Sequence, residues 1–214
     1  MSYQHVHQGQ PVFTYGAALS GAQVAVILLH GRGGTAQSIL ALAAQLPQEK
    51  IAYFAPQAAN QTWYPLSGFV PIESNEPYVS SAFQTVTDLL AQIVDAGITL
   101  DKVVLGGFSQ GGCLAAEFVA RHPQHYGGVF VLSGALMGPP DLPREYPGSL
   151  DGTPVFVGGC DRDSWVTERQ LRLTGAVLQE LGGSLQIEVQ SGTEHTIRQT
   201  EIAHVRDMIS KVGP

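Results

Sequence analysis

Two cysteines, Cys113 and Cys160, are all that the 214 residues contain. They lack the paired spacing of a zinc site and are too few for a disulfide framework. A reducing, cytoplasmic setting is the expectation. Runs of Lys or Arg are absent: 11 basic residues face 18 acidic ones, for a formal charge of −7. Nucleic acids and anionic membrane surfaces attract clustered positive charge, so neither is an expected partner. No apolar run approaches the roughly 20 residues of a membrane helix. Met1 to Pro11 shows no apolar core of a secretory signal. Internal repeats, low-complexity tracts and linkers are also missing. The length suits one well-buried domain over residues 1–214 better than two, and an apolar content of 44% is ordinary for a globular chain.

What the chain does have is alternation. Val24 to Leu29 is a continuous apolar, β-branched run, as expected of a strand buried on both faces. Similar runs stand at Ile51 to Ala55, Lys102 to Gly106, Val129 to Leu132 and Pro154 to Val157, with a more exposed, alternating one at Ser184 to Gln190. Residues up to Tyr15 could add an edge strand. Helical spacing is expected at Ser38 to Leu46, Val79 to Ala96, Cys113 to Arg121, Thr167 to Leu181 and Glu201 to Val212. Gln57 to Pro77 and Gly138 to Gly152 read as irregular loops. Strands alternating with helices imply an α/β class with a mostly parallel sheet and helices on both faces. Chemistry in such sheets gathers at the carboxyl ends of the strands.

One of those ends carries Gly107-Phe108-Ser109-Gln110-Gly111-Gly112, between a buried strand and a helix. G-x-S-x-G in that context is a nucleophile elbow. The chain must turn sharply at the serine, and side chains two positions away on either side would collide, so Gly107 and Gly111 are needed. With 25 glycines in the chain the bare pattern could arise by chance; its placement argues against that. The loop after the first buried strand, His30-Gly31-Arg32-Gly33-Gly34, is the expected source of one oxyanion-hole N–H, at Arg32. The residue after the serine, Gln110, is the expected source of the other. The Arg32 side chain reads equally well as solvated or as facing the site mouth. His30 reads as a buried hydrogen-bonding residue.

A serine hydroxyl needs a base, and the base needs an orienting carboxylate. In this arrangement the acid and then the histidine follow the serine along the chain. Asp163 and its rival Asp161 both follow the strand at Pro154 to Val157, with Asp163 favoured. Of the seven histidines, His122, His125, His195 and His204 follow Ser109. His195 combines the right order with a loop position after a strand. Trp63, Phe69 and Trp165, with Val166 beside it, are candidate walls of a substrate pocket. Tyr64 and Phe69 fit a core role equally well.

Four segments together resemble the phospholipase/carboxylesterase family of small α/β-hydrolases, the group that includes the acyl-protein thioesterases. They are Leu29-His30-Gly31, Gly107 to Gly112, Asp161-Arg162-Asp163-Ser164-Trp165-Val166 and Gly192-Thr193-Glu194-His195. The resemblance covers nearly the whole chain. It implies the α/β-hydrolase fold with minimal or no cap domain. It also implies that Asp163, the second Asp of its segment, is the acid, and it supports Gln110 in the oxyanion hole. The chain departs from the family at Arg32-Gly33-Gly34 and at Gly159-Cys160. Trp63 to Pro77 is similar to a bacterial carboxylesterase branch. The implied activity is hydrolysis of small acyl esters, aromatic ones included, through an acyl-enzyme and without metal or organic cofactor. (Lyso)phospholipase or acyl-thioesterase activity and a non-catalytic binding role are the alternatives, and a homodimer is compatible with the reading.

Overall fold

The buried apolar runs become the strands of one sheet in a computed structural model that describes residues 5–213. In chain order they are β1 (Val12–Gly16), β2 (Val24–Leu29), β3 (Ile51–Pro56), β4 (Val103–Phe108), β5 (Gly128–Leu132), β6 (Pro154–Cys160) and β7 (Ser184–Gln190). Their spatial order is β1-β3-β2-β4-β5-β6-β7. Every neighbouring pair is parallel except β1 with β3, so the edge strand expected before Tyr15 is present and antiparallel.

Among the described residues five α-helices cover the two faces: α1 (Ala36–Leu40), α2 (Tyr78–Asp95), α3 (Gln110–Arg121), α4 (Glu168–Glu180) and α5 (Gln199–Val212). Successive side chains of a strand point to opposite faces, and the cores divide accordingly. Ala25, Ile27 and Leu29 of β2 join a cluster with α2, α3 and α4. Val24, Val26 and Leu28 join a second cluster with α1 and α5. Being covered on both sides is why β2 and β4 read as unbroken apolar runs. Among the described residues, the β5–β6 connection carries no helix or strand, so no cap is inserted there.

Two helices differ from the sequence expectation. The helix expected at Ser38 to Leu46 is a five-residue α1 followed by a 3₁₀ segment, Ala41–Gln45. Thr35 starts it early: its side chain accepts from Ser38 N–H, and Ser38 answers with its own hydroxyl. Helix α3 begins at Gln110, three residues before the expected Cys113. Gly111 and Gly112 are poor helix formers, but the close packing of this turn overrides propensity.

The Gln57 to Pro77 loop is held by buried polar side chains from distant parts of the chain. His7 Nε2–H donates to Trp63 O at 2.9 Å, while its Nδ1 accepts from Ala59 N–H at 3.1 Å. His30 Nδ1–H donates to Gly31 O and its Nε2 accepts from Ala58 N–H at 3.0 Å. Asn75, fully buried, accepts from Leu66 N–H at 2.8 Å and donates to Ser67 O at 3.0 Å. Each histidine thus meets one donor and one acceptor, which requires the neutral ring. Burial lowers both histidine pKa values.

The sign of the pH effect follows. The unfolded chain binds protons on these two histidines that the folded chain refuses, so stability falls as pH drops through the ordinary histidine value of 6.5. The melting temperature should decline between pH about 7 and about 5, and His7→Gln should flatten part of that slope. A second expectation concerns the helix after the acid loop. Thr167 caps α4 through Gln170 N–H; Thr167→Ala should cost about 1 kcal/mol in urea unfolding.

Candidate active site

The turn from β4 into α3 sets the site. Ser109 sits at φ 54°, ψ −120°, a conformation that costs an L-residue about 1–3 kcal/mol. Its N–H is fixed to Leu132 O at 2.8 Å, and its carbonyl accepts from Cys113 N–H at 2.9 Å. A methyl group on Gly107 would lie 2.6 Å from both Gly111 C and Leu29 O, and one on Gly111 would collide with the Leu29 carbonyl. Backbone cannot yield there, so both glycines are steric requirements. The serine hydroxyl is left above the carboxyl end of the sheet, at a helix N-terminus.

His195 reaches that hydroxyl from the loop after β7. Its Nε2 is 2.7 Å from Ser109 Oγ, and its Nδ1 is 2.6 Å from Asp163 Oδ2. The Asp163 side chain is 1% exposed. Its other oxygen accepts Trp165 N–H at 2.7 Å and Val166 N–H at 3.3 Å, so the carboxylate is oriented by its own loop. Asp161, the rival, is turned away. It accepts from Gly192 N–H at 2.8 Å and lies 3.5 Å from Arg162 Nε, bracing the loop that carries His195. His204 is 2.8 Å from Glu188 on the α5 side, and His122 stacks on Phe118. Neither histidine approaches the serine.

Gln110 is the first residue of α3, so its N–H has no intrahelical acceptor. Its buried side chain ties down the loop opposite: Oε1 accepts Trp63 N–H at 2.8 Å and Nε2–H donates to Tyr64 O at 2.8 Å. Among the described residues the Arg32 N–H donates to no protein acceptor, while the neighbouring Gly33 N–H is occupied by Gln61 O. The Arg32 side chain is exposed and lines the pocket. It donates to Pro65 O at 2.8 Å and to Leu66 O, and lies 5.9 Å from the Tyr64 ring centre. It holds the wall of the pocket.

That pocket has a volume of about 450 Å³. Phe69, Trp165 and Val166 line it, together with Tyr64 and Cys113. Trp63 does not, which corrects the sequence expectation. It is fully buried, donates Nε1–H to His30 O at 2.9 Å, and packs between the rings of His7 and His30. A tryptophan in a site-facing loop points inward here because the loop itself needs a core. Trp165 is the opposite case, 70% exposed at the mouth with its ring 6.4 Å from His195. Cys113 was missed as a lining residue; helical spacing places it one turn after Ser109, which was the available signal. Burial pushes its thiol pKa up, so it serves as an apolar wall rather than a nucleophile. His7 and Asn75 were also missed, because their partners lie far away in sequence. Among the described residues no cluster of His, Cys, Asp or Glu is arranged to hold a metal, and no helix is long and apolar enough to cross a membrane.

Comparison with known proteins agrees with this geometry. The chain is 29% identical over 167 residues to acyl-protein thioesterase 1 of Saccharomyces cerevisiae, covering 69% of this chain and 73% of that one. It is 27% identical over 212 residues to a probable carboxylesterase of Oryza sativa subsp. japonica, covering 91% and 90%. The crystal structure of a phospholipase/carboxylesterase from Dyadobacter fermentans superposes with a TM-score of 0.90 at 34% identity, covering 94% and 97%. Residues 17–213 match the family model described as Phospholipase/Carboxylesterase. With the elbow, the following acid and histidine, and the sheet in this order, the chain belongs to the phospholipase/carboxylesterase family of α/β-hydrolases.

Proposed function

We propose that the chain is a serine carboxylesterase that hydrolyses small acyl esters, aromatic ones included, through an acyl-enzyme. One observation carries this reading: Ser109 Oγ, His195 and Asp163 form a continuous hydrogen-bonded line that ends in an apolar pocket of about 450 Å³.

His195 Nε2 takes the Ser109 proton as Oγ attacks the ester carbonyl. Asp163 holds Nδ1–H and stabilises the imidazolium that forms. The oxyanion is received by the backbone N–H groups of Gln110 and Arg32. Each such donor is worth about 2.7–4 kcal/mol of barrier lowering where it has been tested in this chemistry. His195 then gives its proton to the departing alcohol, leaving the acyl group on Ser109. A water molecule deprotonated by His195 attacks the acyl-enzyme and restores the serine. No metal or organic cofactor enters the cycle. The same steps cleave a thioester. The small pocket with its side walls of Phe69 and Val166 favours short or aromatic acyl groups over long chains. The complete Ser–His–Asp line argues against a purely binding role.

Ser109→Ala should abolish p-nitrophenyl ester hydrolysis and fluorophosphonate labelling while circular dichroism stays unchanged; retained hydrolysis would refute the nucleophile. Asp163→Asn should lower kcat by about 10⁴-fold, as the same change does in the serine-protease triad. Arg32→Ala tests the division between backbone and side chain. The oxyanion N–H survives the change, but the Pro65 and Leu66 carbonyls lose their anchor. KM should rise about threefold to tenfold with a smaller effect on kcat, the signature of lost uniform binding.

A further inference from the structure

A second hollow, of about 330 Å³, lies beside the pocket described above. The two share Arg32 and His195 and no other lining residue, so these two form the ridge between them. Phe108, Ile39, Ile197, Ser38 and Thr196 line the second hollow, with the glycines of the loop after β2. It lies within one residue of the nucleophile. A methyl group on Gly31 would be 3.2 Å from Ser109 Cβ and 3.3 Å from Phe108 Cδ1, so this loop packs directly on the elbow. The Phe108 ring is 5.0 Å, centre to centre, from the His195 ring.

Resting on the acyl-enzyme reading, we propose that this hollow is the alcohol subsite and takes an apolar alcohol of about benzyl size rather than a cationic one. The tetrahedral intermediate has four substituents to house. Oγ belongs to Ser109, and the oxyanion faces the Gln110 and Arg32 N–H groups. The acyl group stays bonded to Ser109 and occupies the pocket that Ser109 itself lines. The leaving oxygen must meet His195 Nε2 to be protonated, and the hollow with His195 in its wall but not Ser109 is the space left for what that oxygen carries.

The lining selects the chemistry. The Ser38 hydroxyl is committed to Thr35, donating to its carbonyl at 2.7 Å and accepting its N–H at 3.0 Å. Both His30 ring nitrogens are engaged, and the Arg32 guanidinium is spent on Pro65 and Leu66. Among the described residues no Asp, Glu or Lys lines the hollow, and Arg32 is the cation on its ridge. A cationic alcohol would find no counter-ion there. An aromatic or branched one would cover Phe108, Ile39 and Ile197. After the alcohol departs, the same space admits water to His195 for deacylation. The reverse step balances in the same way. An alcohol seated there gives its O–H proton to His195 Nε2, and its oxygen bonds the acyl carbon. The Ser109 Oγ–acyl bond then breaks, and the proton passes to Ser109.

The test pairs two readouts. One is the ratio of kcat/KM for benzyl acetate to that for methyl acetate. The other is acyl transfer from p-nitrophenyl acetate to added benzyl alcohol or methanol. Thr196 is exposed at the rim, so Thr196→Trp can fill the hollow without disturbing the core. It should lower the benzyl-to-methyl ratio about tenfold and cut benzyl acetate formation relative to methyl acetate formation. Ile197→Ala should lower both ratios by a smaller factor, and it carries the test if Thr196→Trp fails to fold by thermal melting. Val166→Ala, on the acyl side, should move the preference between acetate and butyrate esters and leave the alcohol ratio in place. Equal losses on both alcohols in the Thr196 and Ile197 variants, or an alcohol ratio governed by Val166, would overturn the subsite. A wild-type protein that neither hydrolyses these esters nor takes a fluorophosphonate label would instead overturn the acyl-enzyme reading beneath it.

Discussion

The close approach of three backbone segments at the Ser109 turn is the constraint on which the site depends. Gly107 and Gly111 let β4, the start of α3 and the Leu29 carbonyl of β2 come together without side chains between them. That contact forces Ser109 into its strained conformation and brings the β2 loop against it. Two consequences come from one steric fact. The serine hydroxyl is lifted clear of the sheet, and Gly31 at the start of the β2 loop lies directly on Ser109 and Phe108. The cost of the strained residue is met by the rest of the fold, since Ser109 is pinned through its N–H to β5 and through its carbonyl to α3.

Around this point the structure relies on side chains whose hydrogen bonds are all committed. Asp163 takes two N–H groups from its own loop and one from His195; Gln110 binds the N–H of Trp63 and the carbonyl of Tyr64 in the loop opposite; Arg32 holds two carbonyls of the pocket wall. Groups occupied in this way cannot reorient to follow a substrate. Such a site is preorganised, and preorganised dipoles stabilise developing charge without having to turn at the moment of reaction. The same commitment leaves the larger pocket beside His195 mostly apolar, which directs selectivity there toward shape and apolar area.

The residues of the hydrogen-bonded line are legible in the sequence for a local reason. A nucleophile elbow needs glycines at fixed offsets. The acid and the histidine must follow strands in a fixed order, so position and pattern point to Ser109 and His195, while the choice of Asp163 over Asp161 comes from the family resemblance. The strands are legible because β2 to β6 are buried on both faces and show as unbroken apolar runs. The helix starts are less so. Propensity argues against Gly111 and Gly112 in α3, and tight packing prevails.

The aromatic residues mark the limit. Trp63 and Trp165 look alike in the chain, each in a loop near a strand end. One is sealed beneath the pocket by His7 and His30, and the other stands exposed at its mouth. No pattern within a few residues separates them, because the difference comes from partners more than 30 positions away. The sequence by itself determined the order of elements, the elbow and the acid–histidine order, all of which depend on local sterics and on period. Tertiary structure decided which loops wall the pocket, what the Arg32 side chain holds and where a second hollow opens. Those depend on which distant segments meet and on how each buried polar group there finds its partner.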